Sequence, residues 1–215
     1  MKNIVFLLCG SFNPVNYMHL RMFEIAKDFF NMHLKIEVKC GIISPVNDKY
    51  NKRGLVNSNH RLNMLKSALK SSNWVKLDTW ECEQNQWSTT FDVLQHFQQA
   101  FNKNDKQDSK VILLCGADLF ESFTVPGLWD PQHIKDIIKT FGIAVVTRYG
   151  TRIESVFQNL PFLNTLKDKI YIIHDPIPNE ISSTKIRAAI SRGQSIKYLL
   201  PEELIQYIQN HKLYV

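Results

Sequence analysis

The chain has 215 residues, 44% of them hydrophobic, which is enough for one large domain with a sizeable core. No apolar stretch approaches the roughly 20 residues that a membrane-spanning helix needs, so no membrane span is expected. The net charge of +6 is spread along the chain without a Lys/Arg-rich block, which disfavours a nucleic-acid groove or a nuclear-import run and points to small polyanions such as phosphorylated metabolites.

The first apolar run, residues 4–9, carries only Lys2 ahead of it and no small-residue cleavage site, so it predicts a strand rather than a signal peptide. Further apolar runs at 34–43, 74–77, 111–115, 141–146 and 170–173 predict strands. Amphipathic segments at 18–30, 61–69 and 87–101, a mixed helical region after residue 115, and stretches at 183–191 and 201–211 predict helices. This alternation implies a single α/β domain over residues 1–215: a doubly wound, Rossmann-like parallel sheet with helices on both faces and a C-terminal helical segment. Polar residues 102–110 are expected to be a mobile surface connection. Cys9, Cys40, Cys82 and Cys115 are scattered without CxxC spacing, which suggests reduced, buried thiols in an intracellular and most simply cytoplasmic protein.

Sheets of this kind bind ligands beyond the carboxyl ends of their strands. The segments in those places are Gly10-Ser11, residues 44–54, Gly116-Ala117-Asp118 and Thr147-Arg148. In "GSFNPVNYMHL", residues 10–20, Gly10 permits a close backbone approach, Ser11 offers a hydroxyl, and the next helix brings its N-terminal amides and His19 to one spot. An ordinary capped strand-to-helix turn is the competing explanation. In "ISSTKIR", residues 181–187, Ser182 or Ser183 can cap a helix, yet Lys185 and Arg187 put positive charge in its first turn, where the helix dipole disfavours it. A bound anion would remove that conflict. Thr184 and Arg187 share one helix side by spacing, while Ile186 belongs to the apolar stripe. Asp118 suits ribose hydroxyls or a helix cap.

Together, "GSFNPVNYMHL" and "ISSTKIR" resemble the two signatures of the nucleotidyltransferase superfamily. With "GIISPVNDKYNKRGL", "WECEQNQW", "LLCGADLFESFTVPGLW" and "NEISSTKIRAAISRGQSIKYLLP", nearly the whole chain is similar to eukaryotic nicotinamide/nicotinic acid mononucleotide adenylyltransferases. Asn16 stands where those relatives usually have Thr, and Met18 stands at the superfamily's glycine position. The resemblance implies direct attack of a mononucleotide 5′-phosphate on the α-phosphorus of ATP, with Mg²⁺ or another divalent cation accompanying ATP and no dedicated metal cage. It implies His19, Ser11 and Arg187 as the catalytic set. Gly10, Phe12, Lys52, Thr184, Lys185 and Ile186 join them around ATP.

For the mononucleotide or NAD the resemblance implies Ser11, Trp87, Thr90, Gly116, Asp118, Leu128, Trp129, Arg148 and Asn179. Trp87 and Trp129 would flank the cationic pyridine ring, for which an indole face is a physically sound partner. Trp87 has a core alternative, because Phe91, Leu94 and Phe101 continue an apolar helical face from it. Family habit implies a homo-oligomer. Two other functions remain open at this level: the same fold acting on another phosphate acceptor, and a chaperone-like binding protein that keeps the pocket. The preference between nicotinamide and nicotinic acid mononucleotide is not encoded in any motif seen.

Overall fold

The computed structural model describes residues 3–104, 109–148, 150–177 and 179–215. Its strands are β1 (Ile4–Gly10), β2 (Val38–Pro45), β3 (Val75–Leu77), β4 (Lys110–Gly116), β5 (Ile143–Thr147) and β6 (Ile170–His174). They form one six-stranded sheet in the order β3-β2-β1-β4-β5-β6. The pairs β1/β4, β4/β5 and β5/β6 are parallel, with Ile4 opposite Lys110, Leu113 opposite Ile143, and Ile143 opposite Ile170. A parallel strand covered on both faces must be apolar along its length rather than alternate. Residues 5–7, 111–114 and 143–146 meet that demand, each being 0% exposed. The strand order reverses at β1, as the expected doubly wound sheet requires.

The helices are α1 (Tyr17–Phe29), α2 (Ser58–Ala68), α3 (Trp80–Glu83), α4 (Thr90–Asn104), α5 (Ala117–Ser122), α6 (Pro131–Thr140), α7 (Ile153–Asn159), α8 (Ser183–Ser191) and α9 (Glu202–Asn210). Local chemistry sets their ends. Asn57 caps α2 by accepting from the Asn59 N–H, and Asp130 caps α6 from Gln132, with Pro131 in the first turn where its missing N–H costs nothing. Several boundaries differ from the sequence expectation. The strand expected from residue 34 begins at Val38, because Phe30–Leu34 forms a π-helical turn after α1 and Lys35 takes φ 56°. The strand expected from 141 begins at Ile143, since Phe141 closes α6 and Gly142 turns at φ 84°. Helix α7 and the 3-10 helix Pro161–Lys169 were not foreseen. Of the connection expected at 102–110, residues 105–108 lie outside the described residues.

The chain divides into two compact units, each built from three segments. The first comprises Met1–Leu8, Met22–Gly41 and Thr89–Asn179; the second comprises Cys9–Arg21, Ile42–Ser88 and Glu180–Val215. The four cysteines are free, but only Cys115 is fully buried; Cys9, Cys40 and Cys82 are half-buried. Among the described residues, no helix is long and apolar enough to cross a membrane.

Candidate active site

Both signature segments fall in the second unit, and the turn leaving β1 is organised by Asn16. Its Oδ1 accepts the N–H groups of Met18 (3.0 Å) and His19 (3.3 Å), which caps α1. The Asn16 N–H in turn donates to His19 Nδ1 at 3.1 Å, a reciprocal box with histidine in the usual place of an acid. A backbone N–H can only donate, so Nδ1 is the bare nitrogen and neutral His19 carries its proton on Nε2. This corrects part of the sequence expectation: the Met18 and His19 amides are engaged by Asn16 rather than presented to an anion. Gly10 also makes room within the turn: a Cβ there would lie 3.3 Å from Phe12 Cζ, so glycine lets the Phe12 ring pack against the strand end. Phe12, buried and at φ 46°, packs edge-on against His19 with centroids 5.2 Å apart.

The second signature docks on this turn. Ser182 caps α8 by accepting the Lys185 N–H at 3.2 Å, and Ser183 Oγ donates to the Pro14 carbonyl at 2.8 Å while accepting from Asn16 Nδ2 at 3.2 Å. Arg187 Nη1 donates to the Asn13 carbonyl at 2.7 Å, and its Nη2 donates to Thr184 Oγ1 at 3.4 Å. Segments 167 to 174 residues apart in sequence are thereby joined directly. Lys52 Nζ reaches the same turn, donating to Ser11 Oγ at 3.1 Å. Lys185 departs from the expectation: its unfavourable position on the dipole is answered by Glu180 at 2.6 Å, not held open for an anion. Ile186 is 1% exposed and its N–H donates to the Ser182 carbonyl at 3.0 Å, so the residue serves the core and the first turn of α8. Trp87 precedes α4, is 50% exposed, and stacks on Tyr50 at 6.2 Å. The core alternative for Trp87 fails.

The first unit holds the other expected residues. Thr89 and Asp92 cap α4 reciprocally, with Thr89 Oγ1 donating to Asp92 Oδ2 at 2.7 Å and accepting the Asp92 N–H at 3.2 Å, which leaves Thr90 as the first helical residue. Asp118 lies in the first turn of α5 and is exposed, and Gly116 occupies the cap position. A Cβ on Gly116 would sit 2.5 Å from Asp118 Oδ1, so glycine is what lets that carboxylate lie over the strand end. Trp129 is half-buried, its Nε1 donating to Ser122 Oγ at 3.0 Å and its ring edge-on to Phe123 at 4.9 Å. Leu128 is exposed. Arg148 follows β5, its carbonyl accepting from Thr151, and Asn179 is half-buried after β6.

A cytidylyltransferase-like family model matches residues 7–189. The chain is 40% identical to the nicotinamide/nicotinic acid mononucleotide adenylyltransferase 1 of Bos taurus, over 98% of this chain and 88% of that one. It is 42% identical to the nicotinamide/nicotinic acid mononucleotide adenylyltransferase of Oryza sativa subsp. japonica, over 98% of this chain and 85% of that one. The chain belongs to the nicotinamide/nicotinic acid mononucleotide adenylyltransferase family. A Plasmodium falciparum nicotinic acid mononucleotide adenylyltransferase solved with NaAD has the same fold, with a TM-score of 0.72 at 21% identity and 100% of this chain and 98% of that one covered.

In this adenylyltransferase-family chain, sequence reasoning passed over Arg61, Asn13 and Glu81, the first two of which support the signature turn. Arg61 is 0% exposed. Its guanidinium donates to the carbonyls of Val56 (3.0 Å), Ser11 (3.3 Å) and Val46 (2.7 Å) and to Asp48 Oδ1 (2.8 Å). The available signal was its place on the buried α2 stripe with Met64, Leu65 and Ala68, where a charge needs a reason. Burial alone would raise the Asp48 carboxyl, but hydrogen bonds from Ser58 and Arg61 outweigh it and hold it below its ordinary value. Asn13, 0% exposed, lends its carbonyl to Arg187. Glu81 is 3% exposed and accepts from Ser44 Oγ at 2.5 Å; burial pushes its carboxyl up to about 7 against the opposing pull of that bond and of Arg61.

Proposed function

We propose that this chain joins ATP to nicotinamide or nicotinic acid mononucleotide, yielding NAD or deamido-NAD and pyrophosphate. The observation that carries the reading is the direct bonding of the turn at residues 13–19 to the start of α8, which sets His19, Ser11, Lys52 and Arg187 on one patch of the second unit. The mononucleotide phosphate attacks the α-phosphorus in line and pyrophosphate leaves from the opposite side, without a covalent enzyme intermediate. The work left to the protein is alignment of two mutually repelling anions and neutralisation of charge on the reacting phosphoryl group. His19, with its proton on Nε2, donates to that phosphate. Arg187 keeps two of its donor nitrogens on Asn13 and Thr184, which holds the guanidinium in place while its remaining donors serve phosphate oxygens.

Gly10, Phe12 and Thr184 complete the ATP side, Phe12 by bracing His19, while Lys185, paired with Glu180, and buried Ile186 hold the start of α8 in place. On the mononucleotide side, within the first unit, Asp118 takes ribose hydroxyls beside Gly116, Trp129 takes the pyridine ring, and Thr90, Leu128, Arg148 and Asn179 are lesser contacts; in the second unit, Trp87 offers an exposed indole of the kind that suits a pyridine ring. Among the described residues no group of three or more His, Cys, Asp or Glu side chains could hold a metal ion. A divalent cation that accompanies ATP would sit on the nucleotide's own phosphates and waters and neutralise their charge. The proposal extends to a homo-oligomer in a reducing, intracellular setting, the latter supported by four free thiols. The test is purified protein with ATP and magnesium, offered each mononucleotide separately. Formation of the dinucleotide and pyrophosphate in equal amounts is expected; turnover only with other phosphate acceptors, or none, would overturn the reading.

A further inference from the structure

Asn13 is a junction that neither signature explains by itself. Its carboxamide is buried and nearly saturated: Nδ2 donates to the Gly54 carbonyl at 2.8 Å, and Oδ1 accepts the Val56 N–H at 3.3 Å and the Tyr214 hydroxyl at 2.8 Å. Its backbone carbonyl holds Arg187 at 2.7 Å. Gly54, at φ 73°, turns the loop two residues beyond Lys52, whose ammonium reaches Ser11. One buried amide therefore fixes the anchor of Arg187 and the root of the Lys52 loop together, and the orientation of that amide is set in part by a tyrosine 201 positions away in sequence.

Tyr214 is held for this task by the backbone after α9. That segment turns back through Lys212 at φ 48° and Tyr214 itself at φ 67°, left-handed conformations that side-chain-bearing residues adopt only when neighbouring structure fixes them. Leu213 between them is buried. Oδ1 can only accept, so the phenol must stay protonated to donate. Burial raises its titration far into the alkaline range against the opposing pull of Arg187 and Arg61.

We infer that Tyr214 is a positioning residue for the ATP-phosphate patch, acting through the Asn13 side chain on Arg187 and on the Lys52 loop. The inference rests on the adenylyl-transfer reading above. Tyr214→Phe keeps the ring and removes only the hydroxyl. With wild-type protein as reference, Y214F is expected to raise the KM for ATP about fivefold, the worth of one hydrogen bond, and to leave the KM for the mononucleotide within about twofold. Y214M, which loses ring and hydroxyl, is expected to do at least as much and serves the same comparison if Y214F is not recovered folded. In an Asn13→Ala background, Y214F should add no further rise, because the path through Asn13 is already cut. A lowered melting temperature with an unchanged KM for ATP would mark Tyr214 as merely structural and overturn the inference. Wild-type protein that forms no dinucleotide would instead overturn the activity on which it rests.

Discussion

The two units hold their candidate residues in different ways. In the second unit the side chains are tied across long stretches of sequence: Arg187 to Asn13, Ser183 to Pro14 and Asn16, Lys52 to Ser11, and Tyr214 to Asn13. In the first unit the ties are local. Trp129 is held by Ser122 and Phe123, Thr90 follows the Thr89–Asp92 cap, and Asp118 rests beside its own Gly116. The second arrangement is preorganised, as the stabilisation of developing charge demands; the first holds its aromatic ring by one hydrogen bond and one ring contact, both from residues close in sequence. Substitutions in the two units should therefore fail differently.

The largest effect is expected at His19. His19→Ala removes the Nε2 donor and should lower kcat by about 10²- to 10³-fold, the usual loss for a preorganised donor at a developing charge. Steady-state kinetics beside a melting curve checks this, and near-wild-type turnover would remove His19 from the chemistry. Glu81 probes the support beneath the same unit. Folded, it keeps its proton up to about pH 7; unfolded, it releases it near pH 4.3, about the ordinary value. The folded state binds more protons across that interval, so this group's contribution to stability falls as pH rises through it. Glu81→Gln should therefore gain stability relative to wild type between pH 5 and pH 8, on the order of 2 kcal/mol, measured by denaturation at both values. Parallel pH profiles would show that the buried carboxyl is already ionised. A smaller effect is expected at Trp129: Trp129→Ala should raise the KM for the mononucleotide about tenfold and leave that for ATP within about twofold. An effect confined to ATP would reverse the assignment of the two sides.

Much of this was legible in the chain because it rests on local or periodic signals. The continuous apolar runs of β1, β4 and β5 announce parallel strands covered on both faces, and the Ser182-Ser183 pair announces the start of α8 to within one residue. What stayed hidden is the pairing of polar groups, which spacing does not encode. Nothing in "NYMH" says that Asn16 takes up the helix amides and leaves His19 with its proton on Nε2. Nothing in "TKIR" says that Glu180, rather than a ligand, faces Lys185. Arg61 and Tyr214 are further cases, since their partners lie in loops up to 201 residues away. Trp87 failed as a core residue for a local reason: the Thr89–Asp92 box starts α4 after it, so it is not on the apolar face its spacing suggested.

A double-mutant cycle with His19→Ala and Arg187→Ala, read as kcat/KM for ATP, tests most directly whether the two signatures work as one site. Groups that act as a unit lose less together than the product of their separate losses. The bonded turn and helix predict a double variant at least about fivefold more active than that product, a coupling of about 1 kcal/mol. Losses that simply multiply would mean that His19 and Arg187 serve separate functions, and the single ATP-phosphate site would not stand.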